Sequence, residues 1–188
     1  DHFWQLEDTY IKALGRHAEI VGDSGIRSDL DVALFDIVGS SQRDFTSLPA
    51  EIQTLARAFA DGYNFFLEHN PEVTPRLISR MEPWHVLAFE RYMILPRLLG
   101  AAHAPSREVT RLEAEELASL GSNQWAIGPD RTRNGTAMLF INPHQPWYGS
   151  GMFTEMHVKS ASGWDFSGAM YPGAPFPTAG FNNHLGWA

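Results

Sequence analysis

The chain has 188 residues, 44% of them apolar and 19% charged, with no cysteine and a net charge of −8. That composition belongs to a folded globular body rather than a disordered segment, and it excludes disulfides and thiolate metal sites. No run approaches the roughly 18 uninterrupted apolar residues of a membrane span, and no basic stretch followed by an apolar signal core opens the chain. An acidic chain without a basic patch is unsuited to nucleic acid.

Charge and backbone chemistry both change near Gly121. Residues 1–121 carry 19 acidic and 11 basic side chains and residues 122–188 three of each, while Gly and Pro together number 13 before the break and 15 after it. The expected organisation is a helical segment over 1–105, a connector over 106–121 and a strand-rich segment over 122–188.

In the first segment, Phe3, Leu6, Tyr10, Leu14, His17 and Val21 recur at three- and four-residue spacing and predict a helix stopped by Gly22. A second helix is expected from Leu30 to Val38. The third starts after Ser47, with Pro49 and Glu51 in its first turn and Ile52, Leu55, Ala56, Phe59, Ala60, Tyr63, Phe66 and Leu67 on one face, and ends at His69-Asn70-Pro71. A fourth follows Pro83 towards Leu99, kinked or shortened by Pro96. The charged stretch from Ser106 to Leu120 is expected to be an exposed connector.

Beyond it the pattern turns to strands. Gln124 to Gly128 and Thr136 to Asn142 around Arg133-Asn134-Gly135 predict a hairpin, followed by strands over Met152–Lys159 and Trp164–Met170. Pro172, Gly173, Pro175 and Pro177 predict a rigid turn before short strands at Ala179–Phe181 and Leu185–Ala188. Trp125, Trp147, Tyr148, Phe153, Trp164 and Phe166 are expected to serve the core, with a sugar-stacking surface as the other reading.

Candidate chemistry is sparse when judged from residue types alone. The eight histidines lack metal spacing, and neither a Gly-x-Ser-x-Gly elbow nor a phosphate loop is present. His103, His157 and His184 read as surface or strand-end residues. Gly121-Ser122 reads as a flexible joint or, because it sits at the compositional break, as something more. His144, in Asn142-Pro143-His144-Gln145-Pro146-Trp147, is fixed by two prolines and a tryptophan, with a structural role as the default.

Gly121-Ser122-Asn123-Gln124-Trp125-Ala126-Ile127-Gly128, followed by Ile141-Asn142-Pro143-His144, resembles the start of the β chain in penicillin and acyl-homoserine-lactone acylases, which are N-terminal-nucleophile hydrolases. Gly173-Ala174-Pro175, Gly180-Phe181-Asn182 and Trp187 continue the match. Asp1 to Glu7, Gly15 to Gly22, Ala60 to Asn64 and Glu82-Pro83-Trp84 resemble the α chain. The implied fold is α+β: a helical α-chain segment, then the first strands of an αββα sandwich.

The resemblance implies autoproteolytic cleavage before Ser122, which would become the terminal nucleophile of an amidohydrolase, with its own α-amine as base and His144 orienting or tuning it. It implies an αβ heterodimer, a small-molecule acyl amide substrate such as a lactone or penicillin, and no cofactor for catalysis. Met93, Leu98, Gln145 and Trp147 would line the acyl pocket, although lactone acylases often carry Phe where Gln145 stands. A structural calcium ion is common in such enzymes, with most of its ligands expected beyond Ala188, and no metal ligand is assigned within this chain. The family's oxyanion donors would also lie beyond Trp187. The chain is therefore expected to be a fragment that needs the remainder of the β chain and is nearly inactive alone, and loss of one such donor costs about 10²–10³ in rate. Export to the periplasm or outside the cell is expected through a signal not in this stretch. A non-catalytic carbohydrate- or ligand-binding module is the alternative.

Overall fold

The computed structural model describes residues 2–99, 121–147 and 149–188, and for 95–99 and 150 the backbone alone. The expected connector over 106–120, His103 and Tyr148 lie outside the described residues. Helices occupy the first part and antiparallel strands the second, giving the α+β class that the sequence predicts. Two compact units result, one of Asp1–Ala104 with Pro172–Pro175 and one of Pro105–Tyr171 with Phe176–Ala188.

The helical unit contains α1 (Phe3–Ala13), α2 (Ala18–Val21), α3 (Ile26–Leu34), α4 (Ile37–Asp44), α5 (Ala50–His69) and α6 (Trp84–Leu99). The first helix stops well before Gly22, because Gly15 takes φ of 67°, a left-handed conformation that glycine adopts without steric cost. Gly15 N–H then bonds to Lys12 O and Arg16 N–H to Ile11 O, each at 3.0 Å, the paired closure of a Schellman motif. The next turn is capped from outside. Both carboxylate oxygens of Asp29 accept, at 2.8 Å, the N–H groups of His17 and Ala18 at the start of α2.

The helix expected from Leu30 to Val38 is two helices. Asp36 adopts φ 49° and ψ 40°, and this left-handed residue breaks the hydrogen-bond ladder between α3 and α4. α5 follows its apolar pattern in part, burying Ala56, Ala60 and Tyr63 while Ile52, Leu55 and Phe66 of the expected face stay exposed, and Pro49 is its N-cap. α6 continues through Pro96 to Leu99. Proline removes one helical hydrogen bond, but its fixed φ is compatible with a helix, so the residue does not by itself end one.

Tyr10 is the centre of this unit. Its ring stacks between Phe59 and Phe89 at 6.2 and 5.3 Å, and its hydroxyl donates to Gly173 O at 2.8 Å. Burial drives that phenol well above its ordinary pKa, with Glu90 adding to the effect. Val32, Ile37 and Ala88 form one apolar cluster and Phe45, Ala56 and Val86 another, with Trp84 packed on both.

Between α5 and α6 the chain has no regular structure, and side chains satisfy its backbone instead. Glu7, fully buried, accepts the N–H groups of Leu77 and Ile78 at 3.0 and 3.1 Å. Tyr63 O–H donates to Ile78 O at 2.7 Å, and Asn64 exchanges two bonds with the Met81 backbone. Glu7 Oε2 has no hydrogen-bond partner among the described residues.

The strand unit contains β1 (Gly121–Ile127), β2 (Met138–His144), β3 (Thr154–Lys159), β4 (Asp165–Met170), β5 (Ala179–Phe181) and β6 (Gly186–Trp187). β1 and β2 pair as a two-stranded sheet, and β3-β4-β5-β6 form an antiparallel meander. The expected turn at Arg133-Asn134-Gly135 is the last part of a longer connection that also holds a 3-10 turn at Pro129–Arg131. In the meander, Phe166 is buried and its ring lies 4.6 Å from that of Trp187. Gly168 and Gly180 let β4 and β5 approach over that ring, since a Cβ on Gly168 would strike the Ala179 carbonyl.

The expectation that the aromatic residues serve the core holds for Phe166 and in part for Phe153, whose half-buried ring meets buried Tyr171 at 4.7 Å, but fails for Trp125, Trp147 and Trp164. Trp125 is 57%, Trp147 89% and Trp164 48% exposed. For Trp125 the reason lies in the hairpin, where every residue of β1 is exposed and the ring lies 5.0 Å from that of Phe140. Among the described residues no helix is long and apolar enough to cross a membrane.

Candidate active site

The hairpin carries the sequence-predicted chemistry. β1 starts at Gly121 rather than Gln124, and β2 runs on through Asn142-Pro143-His144. Gly121 therefore pairs with His144, Ser122 with Pro143 and Asn123 with Asn142. Side chains alternate across a pleated sheet. One face thus carries Gly121, Asn123, Asn142 and His144, followed by Trp125, Phe140, Ile127 and Met138, while Ser122 and Pro143 belong to the other. In the uncut chain the Ser122 and His144 side chains are not brought together.

The Ser122 hydroxyl donates to the carbonyl oxygen of Gly121, the residue before it, at 2.5 Å. The hydroxyl therefore lies against the one peptide group that a cut at Gly121-Ser122 would break. On the opposite face, His144 Nε2 lies 3.2 Å from Asn123 Nδ2 and 3.3 Å from Asn142 Nδ2. The other ring nitrogen, Nδ1, sits 3.7 Å from where a Cβ on Gly121 would stand. Sequence reasoning missed the two asparagines as a pair. The signal was available, because continuous pairing from Gly121 to His144 makes Asn123 and Asn142 direct cross-strand neighbours.

The four expected pocket residues are dispersed along the chain. Met93 is half-buried on α6, and Leu98 lies on the stretch of α6 whose side chains are not described. Gln145 is half-buried just after β2, and Trp147 is almost wholly exposed. In the helical unit an open cleft of about 270 Å³, lined by residues including Arg16, Leu77, Arg80, Trp84 and His85, contains none of them. Burial pushes His85 down to about 4, opposed in part by Glu82, and its Nδ1 accepts the Glu82 N–H at 3.3 Å.

Elsewhere, His157 on β3 bonds to Asp165 at 2.7 Å in the open, and that bond, with a second from Lys159, lowers the Asp165 pKa. Among the described residues no three His, Asp or Glu side chains gather into a set able to hold a metal ion.

The chain has relatives among known acylases. The penicillin acylase 2 proenzyme of Pseudomonas sp. (strain SE83) is 28% identical across the whole of this chain, which covers 31% of that relative's length. The acyl-homoserine lactone acylase PvdQ of Pseudomonas fluorescens (strain Pf0-1) is 32% identical over 74% of this chain and 21% of its own length. The aculeacin-A acylase of Actinoplanes utahensis is 35% identical over half of this chain and 12% of its own. The chain thus spans less than a third of the length of these relatives. The family model for penicillin amidase matches residues 1–188 from end to end, and the chain belongs to the penicillin amidase family.

Proposed function

We propose that these residues are part of an acylase that hydrolyses the amide bond of N-acylated small molecules through Ser122, once the chain is cut between Gly121 and Ser122. The observation that carries this reading is the Ser122 hydroxyl resting on the Gly121 carbonyl oxygen at an exposed strand start. A relative named a proenzyme gives further support.

In the cut, Oγ moves from the carbonyl oxygen to the carbonyl carbon. The Oγ–C bond forms, the Gly121–Ser122 C–N bond breaks, and the hydroxyl proton passes to the nitrogen. Water then hydrolyses the ester, leaving a carboxylate on Gly121 and a free amine and hydroxyl on Ser122. An α-amine with a pKa of roughly 7.7–8.0 has a sizeable unprotonated fraction, able to accept a proton, slightly above neutrality. In turnover it takes the Ser122 hydroxyl proton as Oγ attacks the substrate amide, and it returns a proton to the departing amine. Water then releases the acid from the acyl-enzyme.

Candidate substrates are acyl-homoserine lactones, the side-chain amides of penicillins and acylated peptides. Met93, Leu98, Gln145 and Trp147 are the proposed acyl-pocket residues. The working form in this reading is an αβ heterodimer completed by the rest of the β chain, which supplies the oxyanion donors, and it is periplasmic or secreted. The acylase names of the relatives weigh against a carbohydrate-binding module. The test is N-terminal sequencing and intact mass of the full-length protein with and without Ser122→Ala. A new terminus at Ser122, lost in the variant together with amide hydrolysis, is expected. A variant that still matures and still hydrolyses amides sinks the reading.

A further inference from the structure

We propose that Asn123 and Asn142 are positioning residues that fix the tautomer of His144, with Nε2 as hydrogen-bond acceptor and Nδ1–H as donor on the Gly121 side. The inference rests on the reading of Ser122 as nucleophile and assigns His144 a role within it.

Both amide nitrogens approach the same ring nitrogen, at 3.2 and 3.3 Å. An Asn Nδ2 only donates, so Nε2 must offer its lone pair and the ring proton must reside on Nδ1. The pairing is built into the sheet: Asn123 and Asn142 are direct cross-strand partners, Gly121 and His144 are the next pair on the same face, and the pleat brings all four together. β1 and β2 hold no Asp, Glu, Lys or Arg, so no ionic partner competes for the His144 ring within the hairpin.

The consequence is a division of labour. With Nε2 engaged, His144 has no basic nitrogen to offer, and the Ser122 α-amine is left as the base. Nδ1 lies 3.7 Å from the Cβ position of Gly121. When the cut frees Gly121, that N–H stands next to the new amine of Ser122. The positive end of the N–H dipole at that place disfavours the charged amine without bonding to its single lone pair, which stays free to accept the hydroxyl proton.

The experiment is a long-range proton–nitrogen correlation spectrum of the mature full-length enzyme carrying nitrogen-15 histidine. The His144 signals are assigned by their loss in His144→Gln, and the pH profile of kcat/KM is measured in parallel. The expected result is a proton on Nδ1 in the wild type. In Asn142→Asp the carboxylate accepts where the amide donated, so the proton moves to Nε2 and the acidic limb of kcat/KM rises by about one pH unit. Asn142→Ala and Asn123→Ala each lower kcat about tenfold with little change in KM. A wild-type His144 protonated on Nε2 overturns the proposal, and so does an Asn142→Asp enzyme with unchanged tautomer and unchanged acidic limb. Because the tautomer is read directly, a missing terminus at Ser122 defeats the nucleophile reading without being confused with either result.

Discussion

The helical unit and the β1–β2 hairpin solve opposite problems. In the former, Tyr10, Phe89 and Ile37 are almost wholly enclosed, and even the irregular loop between α5 and α6 has its backbone held by Glu7, Tyr63 and Asn64. In the latter, every residue of β1 is exposed, and Ser122 and His144 make polar contacts while Trp125 meets Phe140 in the open. The first region encloses its side chains, and the second, which holds the residues proposed to do the chemistry, leaves most of them open. Substitutions should therefore register in different measurements.

The sharpest test of that contrast is Ser122→Ala, which should lower amide turnover by about 10³-fold or more while changing unfolding free energy by less than about 0.5 kcal/mol, as expected for an exposed site. A large loss of stability in denaturant titration would break the comparison. Next comes Glu7→Ala. It strands two buried N–H donors and should cost about 4 kcal/mol in the same titration. Glu7→Gln keeps one acceptor oxygen and should stay within about 1 kcal/mol of wild type.

His85 should make the helical unit acid-sensitive. Its folded pKa is about 4, against about 6.5 when unfolded. Between those values the unfolded chain binds more protons, so stability rises with pH across that window and the loss is nearly complete at pH 4. Lowering the pH from 7 to 4 should cost the wild type about 3 kcal/mol more than it costs His85→Gln. Gly173→Ala should cost about 2 kcal/mol, because φ is 96° and the new Cβ would lie 2.9 Å from the Tyr10 ring. The smallest effect is expected at Asp36→Gly. Relief of the left-handed backbone should slightly outweigh the exposed Arg43 ion pair, for a gain below about 1 kcal/mol in a thermal melt.

Much of this was legible in the sequence where local pattern and packing agree. The apolar face of α5 and the strand content after Gly121 are of that kind. The first helix was overextended because Leu14, His17 and Val21 keep helical spacing across Gly15, and spacing does not report which glycine turns left-handed. Asp36 hid the break between α3 and α4 for a related reason, since left-handed conformation at an aspartate has no strong sequence mark. At the site, the Ser122 and His144 motifs were visible but their faces were not. That depended on β1 starting three residues earlier than the alternation suggested and on β2 lying two residues later, so that Pro143 and His144 fall inside β2 rather than beyond it.

The hydrogen bond from Tyr10 to Gly173 joins residues 163 positions apart, on either side of Ser122. A nick at residue 121 would turn that contact into a bond between two polypeptides. The segment Pro172–Pro175 would remain seated among the helices as a non-covalent tether, keeping the second piece at high effective concentration after the first has lost its covalent link. Proteolytic maturation need not then be followed by a search for the partner.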